Sequence, residues 1–303
     1  MPDLQLRGKV IITGSIKAKT GLHIGGSQGR VDIGGVDHLV IKDPEGKPYI
    51  PGSSLKGKLR SLLEVEKDLA VDTQRVKTRS GETEITMHLC NRPDCPVCLL
   101  FGRHNNYFLP RVKEAACSLV GATAEKKCPK GKPEKEANTH ACPFLCIENT
   151  TPTRLLVRDA CLDESSITPE MKKNLTNEWT EEKMENSIDR ITSAANPRTL
   201  ERVPKGAKFR FEIVFTLLQE SDRGLLAALL LAMQLLEDDY LGAWGSRGSG
   251  QVCFADMQIF WNSRQDYEAG PIDLSQKQPL LNQLFPHLIH LREQQSGLIA
   301  ALS

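Results

Sequence analysis

The chain has 303 residues, 40% hydrophobic and 25% charged, with 39 Lys and Arg against 38 Asp and Glu and a formal net charge of +1. At roughly 100 to 200 residues per domain this is one large domain or two small ones, and the composition excludes disorder, a collagen-like repeat and a disulfide-stapled miniprotein. The near-zero charge excludes a uniformly basic nucleic-acid coat, so any RNA or DNA contact must come from a local patch.

In chain order, residues 6 to 19 (LRGKVIITGSIKAK) predict a first strand, ended by Gly21, Gly25, Gly26 and Gly29. Residues 38 to 50 predict a hairpin that turns at Asp43-Pro44-Glu45-Gly46. Pro51-Gly52-Ser53-Ser54 opens a helix capped by Ser53 or Ser54. Leu55, Leu59, Leu62 and Leu63 lie on its apolar face, and Lys56, Lys58 and Arg60 lie off it. Residues 71 to 150 hold seven of the nine cysteines and little periodicity, which marks an insertion. Regular structure resumes with a strand at LLVRDA, a polar excursion over 163 to 205, a strand at Phe209 to Leu218 and a helix at Leu225 to Asp238. A glycine-rich loop, Gly242 to Gly250, leads into a strand at Gln251 to Trp261, and residues 263 to 303 predict a helical tail.

Removing the insertions leaves β-α-β-β-α-β. The expected fold class is therefore α+β: a modified ferredoxin-like or RNA-recognition (RRM-like) core from 1–70 and 151–262, interrupted by a Cys-rich insertion at 71–150. The longest apolar run, Leu225 to Leu236, is too short to span a bilayer and is bracketed by charges, which suits a buried helix. With no apolar leader at the N-terminus, the expectation is a cytoplasmic protein with reduced thiols and no membrane role.

The strongest chemical signal is His88-Leu-Cys90-x4-Cys95-x2-Cys98. One imidazole and three thiolates complete the tetrahedral shell that zinc prefers, and four protein ligands make such a site structural. A second set, Cys128, His140, Cys142 and Cys146, is more loosely spaced. The H-x-E and P-C-x-x-C pattern of a zinc deaminase is absent. Gly52 to Lys58 matches a P-loop until Leu59 replaces the hydroxyl that would hold magnesium, so a nucleotide hydrolase is rejected. The same stretch can bind phosphate through helix N-terminal amides and adjacent cations, and Gly245, Ser246, Arg247 and Gly248 offer similar chemistry. In the glycine-rich segment before residue 38, Asp32 and Asp37 could hold a magnesium ion near a scissile phosphate, although most loop aspartates do not. His23 is either a packed or turn-capping histidine or a ligand contact.

The motifs GLHIGG, IGGVD, IPGSSLKGKLR, LFG, RDA, ENSIDRITSAANPRTLER and DYLGAWGSRGSGQV, in that order, resemble the repeated backbone subunit of type III CRISPR effector complexes, of the Csm type within the RAMP superfamily. The resemblance implies copies stacked along a guide CRISPR RNA with other type III subunits. It also implies a thumb-like hairpin at about 179–205 that displaces a nucleotide. His23, Ser53, Ser54, Lys56, Lys58 and Arg60 would face guide phosphates, helped by the Gly245 to Gly250 loop. Asp37, in Gly34-Gly35-Val36-Asp37, would be needed for magnesium-dependent cleavage of the paired target RNA at regular intervals. Some members carry a His-Cys-Cys-Cys zinc site just before LFG, as here. Two other readings compete: a non-catalytic filament subunit, and a metal-free guide-processing ribonuclease, for which only His23 and His38 lie near the relevant loop.

Overall fold

A computed structural model of the protein describes residues 4–26, 38–69, 73–77, 84–88, 92, 94–102 and 152–280. The chain divides into two compact units, Met1–Leu63 with Arg154–Ser303, and Glu64–Thr153. Its elements begin with β1 (Gly8–Ala18), β2 (Tyr49–Ile50), helix α1 (Gly52–Glu66), β3 (Thr73–Lys77), β4 (Glu84–His88) and helix α2 (Pro96–Phe101). There follow β5 (Leu155–Val157), β6 (Ala160–Asp163), β7 (Glu181–Ile188), β8 (Ala195–Arg202), β9 (Lys208–Leu217), helix α3 (Arg223–Asp238) and β10 (Val252–Ser263). Helix α3 contains the long apolar run of the sequence.

The first unit is built on one antiparallel sheet in the order β10-β1-β9-β6-β2, with β5 also paired to β9. The first core strand thus lies between the fourth and the third, and the second lies outside the third. That is the ferredoxin-like order, β-α-β-β-α-β, that the element sequence predicts. Alternation sets the faces. Val10, Ile12 and Ile16 of β1 and Phe209, Phe211, Ile213 and Phe215 of β9 are buried, and the intervening Lys9, Thr13, Lys17, Arg210 and Glu212 are not. Leu55, Leu59 and Leu63 of α1 are buried together with Leu225, Leu229 and Met233 of α3, the apolar stripe each helix contributes to the core.

Three local readings of the sequence are corrected. Residues 38 to 50 form the expected turn, with Gly46 at φ 82° and its N–H bonded to the Asp43 carbonyl at 3.0 Å, but only isolated bridges flank it rather than a full hairpin. Pro48 sits in one of those bridges and has no N–H to extend a ladder. Helix α1 starts at Gly52, so Ser53 and Ser54 lie inside its first turn, and the Gly52 N–H donates instead to Asp159 Oδ1 at 2.7 Å. Glycine is required at 52, because a Cβ would overlap the Val157 carbonyl. Finally, LLVRDA is two strands: between Val157 and Cys161 it takes four steps where β9 takes three, from Ile213 to Arg210. The extra residue is a bulge, beside the Asp159 carboxylate that caps the helix.

Of the expected tail, residues 264–269 form a short helix whose Ser263 and Asp266 make a reciprocal capping box, and 281–303 lie outside the described residues. No helix among the described residues is long and apolar enough to cross a membrane.

Arg154, just before β5, and Asp222, just before α3, form an ion pair, Nε to Oδ2 at 3.1 Å, with both side chains fully buried. The same oxygen accepts the Leu218 and Gln219 N–H groups at 2.9 and 3.1 Å, so one carboxylate fixes the turn from β9 into α3. Removing it takes the carboxylate from a guanidinium held in the interior. Asp222→Ala is expected to cost about 3–5 kcal/mol, measured as a lower urea midpoint at unchanged slope.

Candidate nucleic-acid interface

The predicted phosphate-binding cations of α1 are off the leucine stripe but only partly exposed. Lys56 turns its ammonium onto the Leu155 carbonyl at 3.2 Å. Burial, then the neighbouring Arg60 charge, pushes its pKa below the ordinary lysine value. Lys58 pairs with Asp239 Oδ2 at 3.0 Å and lies 4.0 Å from the centre of the Tyr240 ring. Ser53 is exposed and Ser54 is half-buried, both at the helix start.

The glycine-rich loop is a single 3-10 turn, Gly245–Arg247, entered through Trp244 at φ 58° and left through Gly248 at φ 84°. Gly245 lies so close to the Tyr240 ring that a Cβ there would overlap it, which explains a glycine at that position. Ser246, Arg247 and Gly248 are exposed, and Arg247 pairs with Glu185 of β7 at 3.2 Å. Between the turn and the end of α3 lies a cleft of about 430 Å³, lined by residues that include Thr20, Asp238, Asp239, Tyr240, Ser246 and Gln251.

β7 and β8 form a two-stranded hairpin within the span 179–205. One face is an ionic ladder: Arg202 Nε to Glu181 at 2.6 Å, Arg198 to Glu185 at 3.0 Å and Lys183 to Glu185 at 3.1 Å. The bond from Lys183, with that from Arg198, holds the Glu185 carboxyl below the usual carboxylate range. The opposite face and the tip expose Met184, Ile188 and Ile191, the last at 94%. At the hairpin root Glu201 is fully buried. It accepts from Thr180 Oγ1 at 2.6 Å, Val40 N–H at 2.8 Å and Lys42 Nζ at 2.5 Å.

His23 is not presented to solvent. It is 4% exposed, with Nδ1 2.6 Å from the Glu201 carbonyl and its ring 4.4 Å from that of Trp244. Of the two alternatives left open by the sequence, the structure shows the packed histidine. His38 is exposed, 5.1 Å from Trp244. Asp32 and Asp37 lie outside the described residues. The other face of the two central strands carries Lys9, Ile11, Thr13, Ser15 and Lys17, and Lys208, Arg210, Glu212, Val214 and Thr216. It has no aromatic on which bases could stack as they do on RNA-recognition sheets.

In the second unit the ligand atoms of His88, Cys95 and Cys98 lie within 4.8 Å of one another, and all three residues are buried. A tetrahedral metal with bonds of about 2.0–2.3 Å needs donors about 3.3–3.8 Å apart, and His88 Nε2 to Cys95 Sγ is 3.3 Å, so the donor set fits such an ion. The His88 N–H is held by Glu64 Oε1 at 3.2 Å, which fixes the end of β4. Cys90 and the whole second set, Cys128, His140, Cys142 and Cys146, lie outside the described residues.

Sequence reasoning missed Tyr240, Asp239, Asp159 and Glu201. The available signal was their position: Asp159 within RDA, Glu201 ending the long polar stretch, and Asp239-Tyr240 immediately before the glycine loop.

The RAMP superfamily model matches residues 15–253. The CRISPR system Cms endoribonuclease Csm3 of Methanocaldococcus jannaschii is 37% identical over 271 residues, 88% of this chain and 87% of the relative. Its namesake in Methanothermobacter thermautotrophicus is 35% identical over 257 residues, 84% and 87% of the two chains. Among solved structures, a chain of the Csm3-Csm4 subcomplex in the type III-A CRISPR-Cas interference complex is similar at a TM-score of 0.52 and 27% identity, over 98% of each chain.

Burial, against the opposing pull of the Glu201 carbonyl, pushes the His23 pKa below 6.5. The unfolded chain therefore binds the His23 proton at a higher pH than the folded one. Stability is expected to fall as pH drops below 6.5 towards the folded-state value. That part of the fall in melting temperature between pH 7 and 5 should be missing in His23→Gln.

Proposed function

The chain belongs to the RAMP superfamily, and on that premise we propose that it is the backbone subunit of a type III CRISPR RNA-guided complex, binding guide RNA and cleaving complementary target RNA. One structural observation carries the RNA-binding part. Lys58 touches Asp239 and Tyr240, Tyr240 touches Gly245, and Arg247 touches Glu185 of the hairpin, so helix α1, the glycine turn and the hairpin form one continuous surface.

On that surface Lys56, Lys58 and Arg60 meet guide phosphates, joined by Ser53, Ser54 and the Gly245–Gly248 turn. The contacts are to backbone, so they are independent of sequence, and base pairing between guide and target supplies specificity. A phosphate replaces Asp239 at Lys58 and Glu185 at Arg247. The hairpin serves as a thumb: Met184, Ile188 and Ile191 form an apolar wedge that separates neighbouring bases, and its repetition in successive copies sets the interval between cuts. Partners are therefore guide RNA, target RNA, further copies of the chain and other type III subunits.

The cut is made beside the segment that ends at residue 37. A target 2′-hydroxyl loses its proton and attacks the adjacent phosphorus. The bond to the 5′-oxygen breaks, leaving a 2′,3′-cyclic phosphate and a 5′-hydroxyl. Asp37 is the carboxylate of that step, binding the divalent ion or moving the 2′-hydroxyl proton. A magnesium or similar ion, when bound, neutralises charge that develops on the phosphate. In the second unit, His88, Cys95 and Cys98, with Cys90 as the fourth ligand, hold a structural zinc.

Asp37→Ala in the guide-loaded complex is expected to abolish the regularly spaced, magnesium-dependent products while target binding persists. Unchanged cleavage would return the subunit to a scaffold. Elemental analysis is expected to give about one zinc per chain for this site, lost in Cys95→Ser and kept in Cys142→Ser; loss in both would bring the second cysteine set into the metal count.

A further inference from the structure

The surface just described has one residue shared by two of its phosphate-binding elements. Tyr240 follows the end of α3, its N–H bonded to Asp239 Oδ1 at 2.9 Å. The next residue, Leu241, is buried, and its N–H bonds the Gly250 carbonyl at 2.8 Å, so the backbone on that side is fixed to the far end of the glycine loop. The Tyr240 ring then makes two contacts. The Lys58 ammonium stands 4.0 Å from its centre, and the Gly245 backbone packs so closely on the ring carbons that no Cβ fits. Asp239 supplies the second hold on Lys58, at 3.0 Å.

These two holds differ in what happens when a polyanion arrives. Asp239 offers a carboxylate that keeps a third of its side chain exposed and that a phosphate can displace. The ring offers its face, which attracts an ammonium without competing for it as an anion. Lys58 can therefore bind phosphate and stay on Tyr240.

We propose that Tyr240 is a positioning residue for guide binding: its ring sets the Lys58 ammonium and the Gly245–Gly248 turn at one spacing, so that both engage the same stretch of RNA backbone. This rests on the reading that Lys58 and the turn contact the guide. It assigns Tyr240 a role distinct from contact with RNA.

The test is a double-mutant cycle on the full zinc-loaded chain, using a labelled uridine-rich single-stranded RNA over a series of salt concentrations. Lys58→Ala should weaken binding about tenfold and lower the salt slope by about 0.7, one phosphate contact on a single strand. Tyr240→Leu should weaken binding at least as much, because it releases the turn as well as Lys58; Tyr240→Phe should bind within about twofold of the parent, and Lys58→Ala with Tyr240→Leu should be no worse than Tyr240→Leu alone. Melting temperatures identify the folded variants; if Tyr240→Leu does not fold, Tyr240→Met keeps the volume without the ring. If Lys58→Ala weakens binding while loss of the ring does not, or if the two effects multiply, the inference falls and the functional reading stands. If Lys58→Ala and Arg247→Ala both leave binding unchanged, the reading of the surface fails and the inference falls with it.

Discussion

A single buried carboxylate, that of Glu201, ties the root of the hairpin to the segment of Val40 and Lys42. Burial alone would raise its pKa, but bonds from Lys42, Thr180 and the Val40 amide outweigh that and keep it below the usual carboxylate range. A charge taken out of water is costly unless every lone pair finds a donor. Here Oε1 takes Lys42, Thr180 and, at 3.3 Å, Asn177, while Oε2 takes the Val40 N–H. Its backbone is used as well, with the N–H on the His38 carbonyl at 3.0 Å and the carbonyl on His23. One residue at the root of the hairpin thus fixes the chain on the far side of the 27–37 segment, and orients the histidine that packs on the glycine-loop tryptophan.

That arrangement explains what could be foreseen. Period-2 alternation in β1 and β9 and the Leu55, Leu59, Leu63 spacing are local signals, and they place the sheet, its buried face and both long helices correctly. The hidden features depend on partners far along the chain. His23 sits among glycines, a setting that suggests an exposed loop. It is buried because Trp244 and Glu201, 178 residues away, close over it. Ser53 and Ser54 look like helix caps, yet Asp159, 107 residues later, takes the first amide and leaves them in the turn. No window of sequence contains such a pair. The bulge that accompanies Asp159 is one extra residue in a run that otherwise reads as uninterrupted strand.

The metal-site reading divides in the same way. Cys95 and Cys98 are a local knuckle, recognisable from spacing, with Pro96 at the first position of α2 and Val97 to Phe101 buried behind it. The imidazole comes from the end of a different strand, and that β4 ends beside the knuckle is a tertiary fact. The sequence offered His88 because it is near in number, and here proximity along the chain and in space coincide.

A net charge of +1 is compatible with the proposed phosphate-binding surface, because its cations are stored rather than absent. Lys58 is held by Asp239, Arg247 and Arg198 by Glu185, and Lys183 by Glu185 again. Asp239 is one-third exposed, and a pair of that kind contributes little by itself in water; Glu185 is more enclosed but is shared by three cations, so giving one up to a phosphate still leaves it two. An RNA strand offers several such exchanges together and releases its condensed counterions as it makes them. The balance favours binding only when several sites act in register along one strand. Register is a matter of rigid spacing, which the ionic ladder of the hairpin, the Glu201 root and the ring of Tyr240 each supply to a different part of the surface.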